Sequence, residues 1–193
     1  GGYCIVDGVE QADLAALAAA THDWPWHAGS SALAEELPAF WPRPPNRDPL
    51  AGVALGESGG VLVLAGSLTP QTRAQTAALI AGGTAAVVLN STRVFDAAAR
   101  ADELGRVFAA AVAVLRSGCD VLVLATQDEA SVAATHSLGA AHGLDPLGAS
   151  KAVSAALADT AHALVEAAKV SRLVVAGGDT SGTVCRRLGI RGN

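Results

Sequence analysis

From Val61 onward the chain alternates short apolar runs with longer segments whose apolar residues recur at helical spacing. Residues 61–65, 85–89, 121–125 and 173–176 have strand length and are apolar at nearly every position. Residues 72–81, 95–115 and 149–169 read as helices; Leu104, Phe108, Ala111 and Leu115 fall on one face of the second. On the outside of that helix Asp102 and Arg106 have the i, i+4 spacing of a surface ion pair. Strands that are apolar on both faces and joined by helical crossovers predict an α/β fold. The expected form is three-layer α/β/α with a mainly parallel sheet, in which ligands collect at the carboxyl ends of the strands.

The first forty residues follow a looser pattern. Residues 3–7 (YCIVD) are strand-like, 9–20 helical, and a short loop at 27–30 leads into a helix ending near Phe40. Residues 41–49 then contain Pro42, Pro44, Pro45 and Pro49 together with Arg43, Asn46 and Arg47, which neither a helix nor a central strand accommodates. A domain boundary is expected there: residues 1–45 as a fragment of a second α/β domain, 46–60 as a linker, and 61–193 as the principal domain. Trp24, Trp26 and Trp41 flank this hinge and are expected to pack the two blocks together.

Two strand-to-helix turns carry the candidate chemistry. LVVAGGDTSGTVCRRLG runs from an apolar strand through Gly177, Gly178, Asp179, Thr180, Ser181 and Gly182 into a helix. Glycines let the backbone turn sharply and approach a ligand, and Thr180 or Ser181 is placed to cap the helix. Unpaired N–H groups and the positive end of the dipole favour an anion at such a helix start, above all phosphate. VLVLAGSLTPQTRAQ repeats the arrangement with Gly66 and Ser67 past a strand, Thr69 as a helix cap and Pro70 in the first turn. Any α/β protein needs such turns, so Gly66 and Ser67 alone are equally explained as connection. Neither turn has the spacing of a P-loop or of GxGxxG.

Taken together, GSLTPQTRAQ and LVVAGGDTSGTVCRRLGI resemble the nucleotide-binding domain of the four-carbon acid sugar kinase family. That family's GS turn continues with Ser or Thr, Pro, Thr and Gln, matched here by Thr69, Pro70, Thr72 and Gln75; its later loop usually reads GGETSG, with Asp179 here in place of Glu. Residues 4–7, 9–20 and 27–33 resemble the tail of the family's substrate-binding domain. The Asp-Asp and Thr-Gly-Ala motifs of that domain do not occur in this chain. The resemblance implies transfer of the ATP γ-phosphoryl group to a hydroxyl of a four-carbon acid sugar of threonate, erythronate or 3-oxo-tetronate type, with Mg2+ on the phosphates. It also implies that Gly66, Ser67, Gly177, Gly178, Asp179, Thr180, Ser181 and Gly182 surround the nucleotide. Asp179 would either hold a magnesium-bound water or cap the helix it precedes. The general base would come from the other domain, so no catalytic residue is assigned.

Composition narrows the alternatives. A chain of 193 residues that is 51% hydrophobic has ample material for a core. A net charge of -5 with scattered Lys and Arg argues against nucleic acid. Three cysteines without a CxxC pair argue against a disulfide framework and for a reducing cytoplasm; no run approaches membrane-span length. The chain has no Met and opens Gly1-Gly2-Tyr3, and with its abrupt end is expected to be a fragment of a longer protein. His136 and His142, near Asp128, Glu129 and Asp145, match no strong ligand spacing; a solvated Gly-rich loop is expected, and no metal site is assigned. Cys185 is expected to be packed and inert. The expected partners are ATP and a sugar acid, with a homodimer compatible. A non-catalytic nucleotide-binding module remains open, as does a nicotinamide-dependent oxidoreductase, although the acid expected after a GxGxxG is missing.

Overall fold

The computed structural model describes residues 2–42, 59–126 and 128–190, so the proline-rich hinge and most of the expected linker lie outside the described residues. The chain divides into two compact units, 1–53 and 54–193.

In the first unit, helix α1 (Gln11–Thr21) is followed by α2 (Ser31–Glu36) and a 3-10 turn at Leu37–Phe40. Asp13 opens α1 by accepting the Val9 and Glu10 N–H groups at 2.9 and 3.0 Å. The Glu10 and then the Val9 hydrogen bond hold its carboxyl below the ordinary value. Ala18, Leu33 and Leu37 form a small core. Trp41 belongs to this unit: its Nε1–H donates to the His22 carbonyl at 3.2 Å, and His22 stacks on Phe40. The strand expected at 3–7 does not form, and Tyr3 and Ile5 are exposed. A strand requires a ladder partner, and the described residues of this unit contain no second strand.

The second unit holds a four-stranded sheet of β1 (Gly60–Ala65), β2 (Ala85–Leu89), β3 (Val121–Ala125) and β4 (Val170–Ala176). The order is β2-β3-β1-β4, and every pairing is parallel. The helices are α3 (Pro70–Ala81), α4 (Ala97–Arg116), α5 (Glu129–Ala141), α6 (Pro146–Ala167) and α7 (Gly178–Arg187). The α/β expectation therefore holds. Leu62 and Leu64 of β1 and Val121 and Val123 of β3 point into a core shared with Val107 and Ala111 of α4, Leu157 and Leu164 of α6 and Val184 of α7. Shortening a fully buried leucine such as Leu62 or Leu157 to alanine costs about 2–5 kcal/mol. The alternate residues, Ala65, Leu122 and Leu124, form a second cluster on the other face.

Handedness assigns the layers. The crossover from β1 through α3 to β2 runs in one direction across the sheet, and those from β2 to β3 and from β3 to β4 run in the other. Right-handed crossovers then put α3 on the face opposite α4 and α6. The chain leaving β1 and the chain leaving the adjacent β3 thus turn to opposite faces, which opens a crevice at their carboxyl ends.

Two sequence expectations change. The expected solvated loop around His136 is helix α5, capped by Asp128, whose carboxylate accepts the Ser131 N–H at 2.8 Å. Its small residues allow close packing rather than disorder: a Cβ on Gly139 would lie 2.7 Å from that of Ala149 on α6. Asp102 and Arg106 do not pair. Asp102 lies 3.6 Å from Arg93, while the Arg106 fork turns to the buried Glu103. A planar guanidinium gains more from a two-pronged bond to a desolvated carboxylate than from an exposed partner.

Candidate functional site

The two glycine turns begin side by side because their strands are neighbours. Ala65 is in register with Ala176, and the Gly66 N–H donates to the Ala176 carbonyl at 3.2 Å. Gly177 then takes φ +119°, which L side chains rarely adopt, and any Cβ there would press on Ser67 at 3.3 Å. A Cβ on Gly66 would collide with the Thr180 hydroxyl and crowd Leu157. Each turn therefore needs a glycine where the other comes close.

The helices that follow start differently. At α3 the Thr69 hydroxyl accepts the Thr72 N–H at 3.3 Å, and Pro70 fills the first helical position, as the sequence suggests. Helix α7 begins at Gly178, directly after the Gly177 turn, and has no side-chain cap. Its first internal donor is the Ser181 N–H, to the Gly177 carbonyl at 2.8 Å. The N–H groups of Gly178, Asp179 and Thr180 come before it and have no acceptor within the helix.

Thr180 and Ser181 accordingly do not cap α7. Thr180 is buried, with its Oγ1 3.3 Å from the Ser154 Oγ on α6, and the Ser181 hydroxyl donates back to the Gly177 carbonyl at 2.7 Å. The reason is positional: the turn at Gly177 starts the helix early enough to put both hydroxyls inside it.

A cavity of about 270 Å³ opens at this junction. Gly66, Ser67, Gly177, Gly178, Asp179 and Thr180 line one side, so six of the eight residues expected at the site meet there; Ser181 and Gly182 lie further along α7 and do not line it. On the other side only His136 had been noted in the sequence, without a role; Ser91, Thr126 and Thr135 had not. Thr126 follows β3 and Ser91 follows β2, while Thr135 and His136 come from α5. The signal for Ser91 and Thr126 was available, since both lie just past the carboxyl end of a strand. His136 was noted in the sequence but placed in a solvated loop, whereas helix α5 brings it to the cavity.

The cavity is neutral to weakly acidic. Among the described residues, Asp179 and His136 are its titratable lining residues, and no Lys or Arg lines it. Anion attraction there must come from backbone N–H groups, hydroxyls and any cation that arrives with the ligand. Among the described residues no three His, Cys, Asp or Glu side chains cluster as a metal cage. The three cysteines are free, and Cys185 on α7 is half-buried. No helix of the described residues is long and apolar enough to cross a membrane.

The sequence pattern described as the nucleotide-binding C-terminal domain matches residues 62–193, nearly the whole second unit. The chain belongs to the four-carbon acid sugar kinase family. It is 36% identical over 194 residues to a 3-oxo-tetronate kinase of Methylobacterium radiotolerans, covering 98% of this chain and 43% of that protein. It is 32% identical over 174 residues to a 3-oxo-isoapionate kinase of Paraburkholderia graminis, covering 84% of this chain and 35% of the relative. Among solved structures, a domain of unknown function (DUF1537) from Bordetella bronchiseptica superposes with a TM-score of 0.55 at 26% identity, over 96% of this chain and 40% of that one. That structure is described as a domain-swapped dimer with bound citrate. A structure from Salmonella typhimurium, titled a putative tRNA synthase, shares the fold with a TM-score of 0.60 at 23% identity, over 95% of this chain and 41% of that one. This member of the kinase family thus spans about two fifths of the length of its relatives.

Proposed function

We propose that this chain supplies the ATP site of a kinase that phosphorylates a hydroxyl of a four-carbon acid sugar. The observation that carries the reading is the junction itself: an uncapped helix start and a second strand-to-helix turn, in mutual contact, opening into one cavity. The family match over residues 62–193 and the relatives' kinase names support it.

The residues present suit a nucleotide polyphosphate. Gly178, Asp179 and Thr180 line the cavity with backbone N–H groups that have no acceptor within α7, so these would donate to phosphate oxygens, and Ser67 lines it from the neighbouring turn. A Cβ on Gly178 would meet only open space, so that position leaves room for a ligand against the backbone. With no lysine or arginine among the described residues of the lining, a magnesium ion carried by the phosphates would supply the neutralising charge; Asp179 is the described lining carboxylate that can hold one of its waters. The chain's own part in phosphoryl transfer is to bind and orient the donor at fixed dipoles, which lowers the entropic cost of reaching the reactive geometry. The general base and the sugar-acid contacts belong to the substrate domain of the whole protein, and residues 1–45 are its tail in this reading, with 46–60 as linker. The relatives' names support an acceptor of 3-oxo-tetronate type, with threonate and erythronate the other members of the class that the sequence resemblance implies, and the assembly described for the Bordetella domain supports a homodimer.

Calorimetric titration of MgATP into the chain tests the donor site. Saturable binding that weakens on omission of magnesium is expected; no heat at millimolar nucleotide overturns the reading. Turnover of a panel of four-carbon acids by the whole protein, with ATP as donor, tests the acceptor class.

A further inference from the structure

Among the described residues, Glu103 is the charged side chain that is almost fully buried, with 3% exposed, and it lies outside the phosphate cradle. A buried carboxylate is costly unless its oxygens are hydrogen-bonded. Those of Glu103 are: Oε1 accepts the Asn90 N–H at 2.7 Å and the Arg106 Nη2–H at 2.6 Å, and Oε2 accepts the Arg106 Nε–H at 3.0 Å. Arg106 Nη2 also donates to the Val88 carbonyl at 2.6 Å. The carboxylate and guanidinium on α4 therefore grip the end of edge strand β2 by the Val88 carbonyl and the residue just past it by the Asn90 N–H.

The next residue is Ser91, itself buried. Its N–H donates to the Thr126 hydroxyl at 3.3 Å, and its Oγ lies 2.8 Å from the Thr135 hydroxyl. Thr126 in turn donates to the Leu89 carbonyl at 3.0 Å, and Thr135 to the Ser131 carbonyl at 2.7 Å. Ser91, Thr126 and Thr135 all line the cavity, whereas Glu103 and Arg106 do not. Hydrogen bonds on either side of the Asn90–Ser91 peptide thus link the Glu103–Arg106 pair to the cavity wall built by Ser91, Thr126 and Thr135.

We propose that Glu103 and Arg106 are positioning residues for nucleotide binding, holding the Asn90–Ser91 turn so that the Ser91, Thr126 and Thr135 wall is preformed. The inference rests on the donor-site reading above. A second ion-pair cluster supplies the contrast. Asp159 accepts from Arg100 and Arg187, joining α4, α6 and α7, and makes no bond to a cavity-lining residue. It is a purely structural pair of similar chemistry.

The test is MgATP titration of the full chain as wild type, Glu103→Gln, Asp159→Asn, Ser91→Ala and the Glu103→Gln/Ser91→Ala double variant. Glutamine keeps an oxygen for the Asn90 N–H but loses the charged fork. Glu103→Gln should raise the MgATP dissociation constant about tenfold, while Asp159→Asn stays within about twofold at comparable folding. The double variant should bind no more than about twofold worse than Ser91→Ala alone, because both changes act on one wall. Amide exchange at residues 91–93 should accelerate in Glu103→Gln and not in Asp159→Asn. Unchanged affinity in Glu103→Gln, equal losses in Glu103→Gln and Asp159→Asn, or additive losses in the double variant overturn the proposal. If Glu103→Gln does not fold, Arg106→Lys, which keeps the charge and loses the fork, is held to the same threshold. A wild-type chain that binds no MgATP removes the donor site and this inference together, a failure distinct from binding that ignores Glu103.

Discussion

The two turns at the carboxyl edge of the sheet look alike in sequence and behave oppositely in structure. The Gly66 turn uses its hydroxyls on itself: Ser67 and Thr69 bond each other, and Thr69 then caps α3. The Gly177 turn leaves its helix uncapped, with Ser181 bonded backward and Thr180 turned to Ser154. A cap satisfies the donors that an anion would otherwise use. The contrast shows that a withheld cap is as informative as a glycine: in the donor site proposed above, the α7 start offers unpaired backbone N–H groups, whereas the Gly66 turn contributes Ser67 and caps its own helix.

The strongest way to break this contrast is to fill the uncapped side. Gly178→Val adds a side chain where a Cβ meets open space, so the fold should persist. MgATP affinity should fall by roughly 100-fold, near 2.7 kcal/mol, in the titration described above. Undiminished binding would remove the α7 start from the donor site.

Acid distinguishes the caps from the uncapped end. Ser131, first through its backbone N–H and then its side chain, holds the Asp128 carboxyl below its ordinary value. Burial opposes ionisation of Glu103 and Asp159, but hydrogen bonds from Arg106 and the Asn90 N–H, and from Arg100 and Arg187, outweigh it and hold both carboxyls low. Groups held low contribute stability at pH values above their unfolded pKa and lose it as pH falls through the folded one. Thermal denaturation should therefore show a Tm that is flat near neutrality and declines on acidification below about pH 4.5. Asp159→Asn should flatten that decline.

Smaller effects separate the two turns further. Thr69→Ala removes the α3 cap and should lower stability by about 1 kcal/mol in chemical denaturation, with MgATP affinity within about threefold of wild type. Ser181→Ala should change affinity by less than about twofold, since its hydroxyl is spent on the Gly177 carbonyl. A large loss in the serine variant would return that hydroxyl to the nucleotide.

Much of the fold was legible along the chain because parallel strands leave uninterrupted apolar runs: 121–125 matches β3, which is buried at every position, and 85–89 matches edge strand β2 residue for residue although Val88 is exposed. The turns were legible because glycine, threonine and proline act locally, as Thr69 and Pro70 do at α3. Helix α5 was not, since its alanines, serines and glycine give no amphipathic stripe, and Thr135 and Gly139 are buried by other elements, Ser91 past β2 and Ala149 on α6. The Asp102–Arg106 expectation failed for a related reason. Spacing on a helix identifies who can meet, and burial selects who does.

The amino-acid order by itself determined the parallel α/β architecture and the position of both glycine turns, because periodicity and backbone permissiveness are properties of a few adjacent residues. Only the tertiary structure decided that β1 and β4 are neighbours, so that Gly66 and Gly177 touch, and that Glu103 is buried against Asn90. Those outcomes depend on strand order and on which surfaces lose water, and they arise from contacts between residues that separate elements bring together, 13 positions apart for Glu103 and Asn90 and 111 apart for Ser171 and Gly60 of the paired strands.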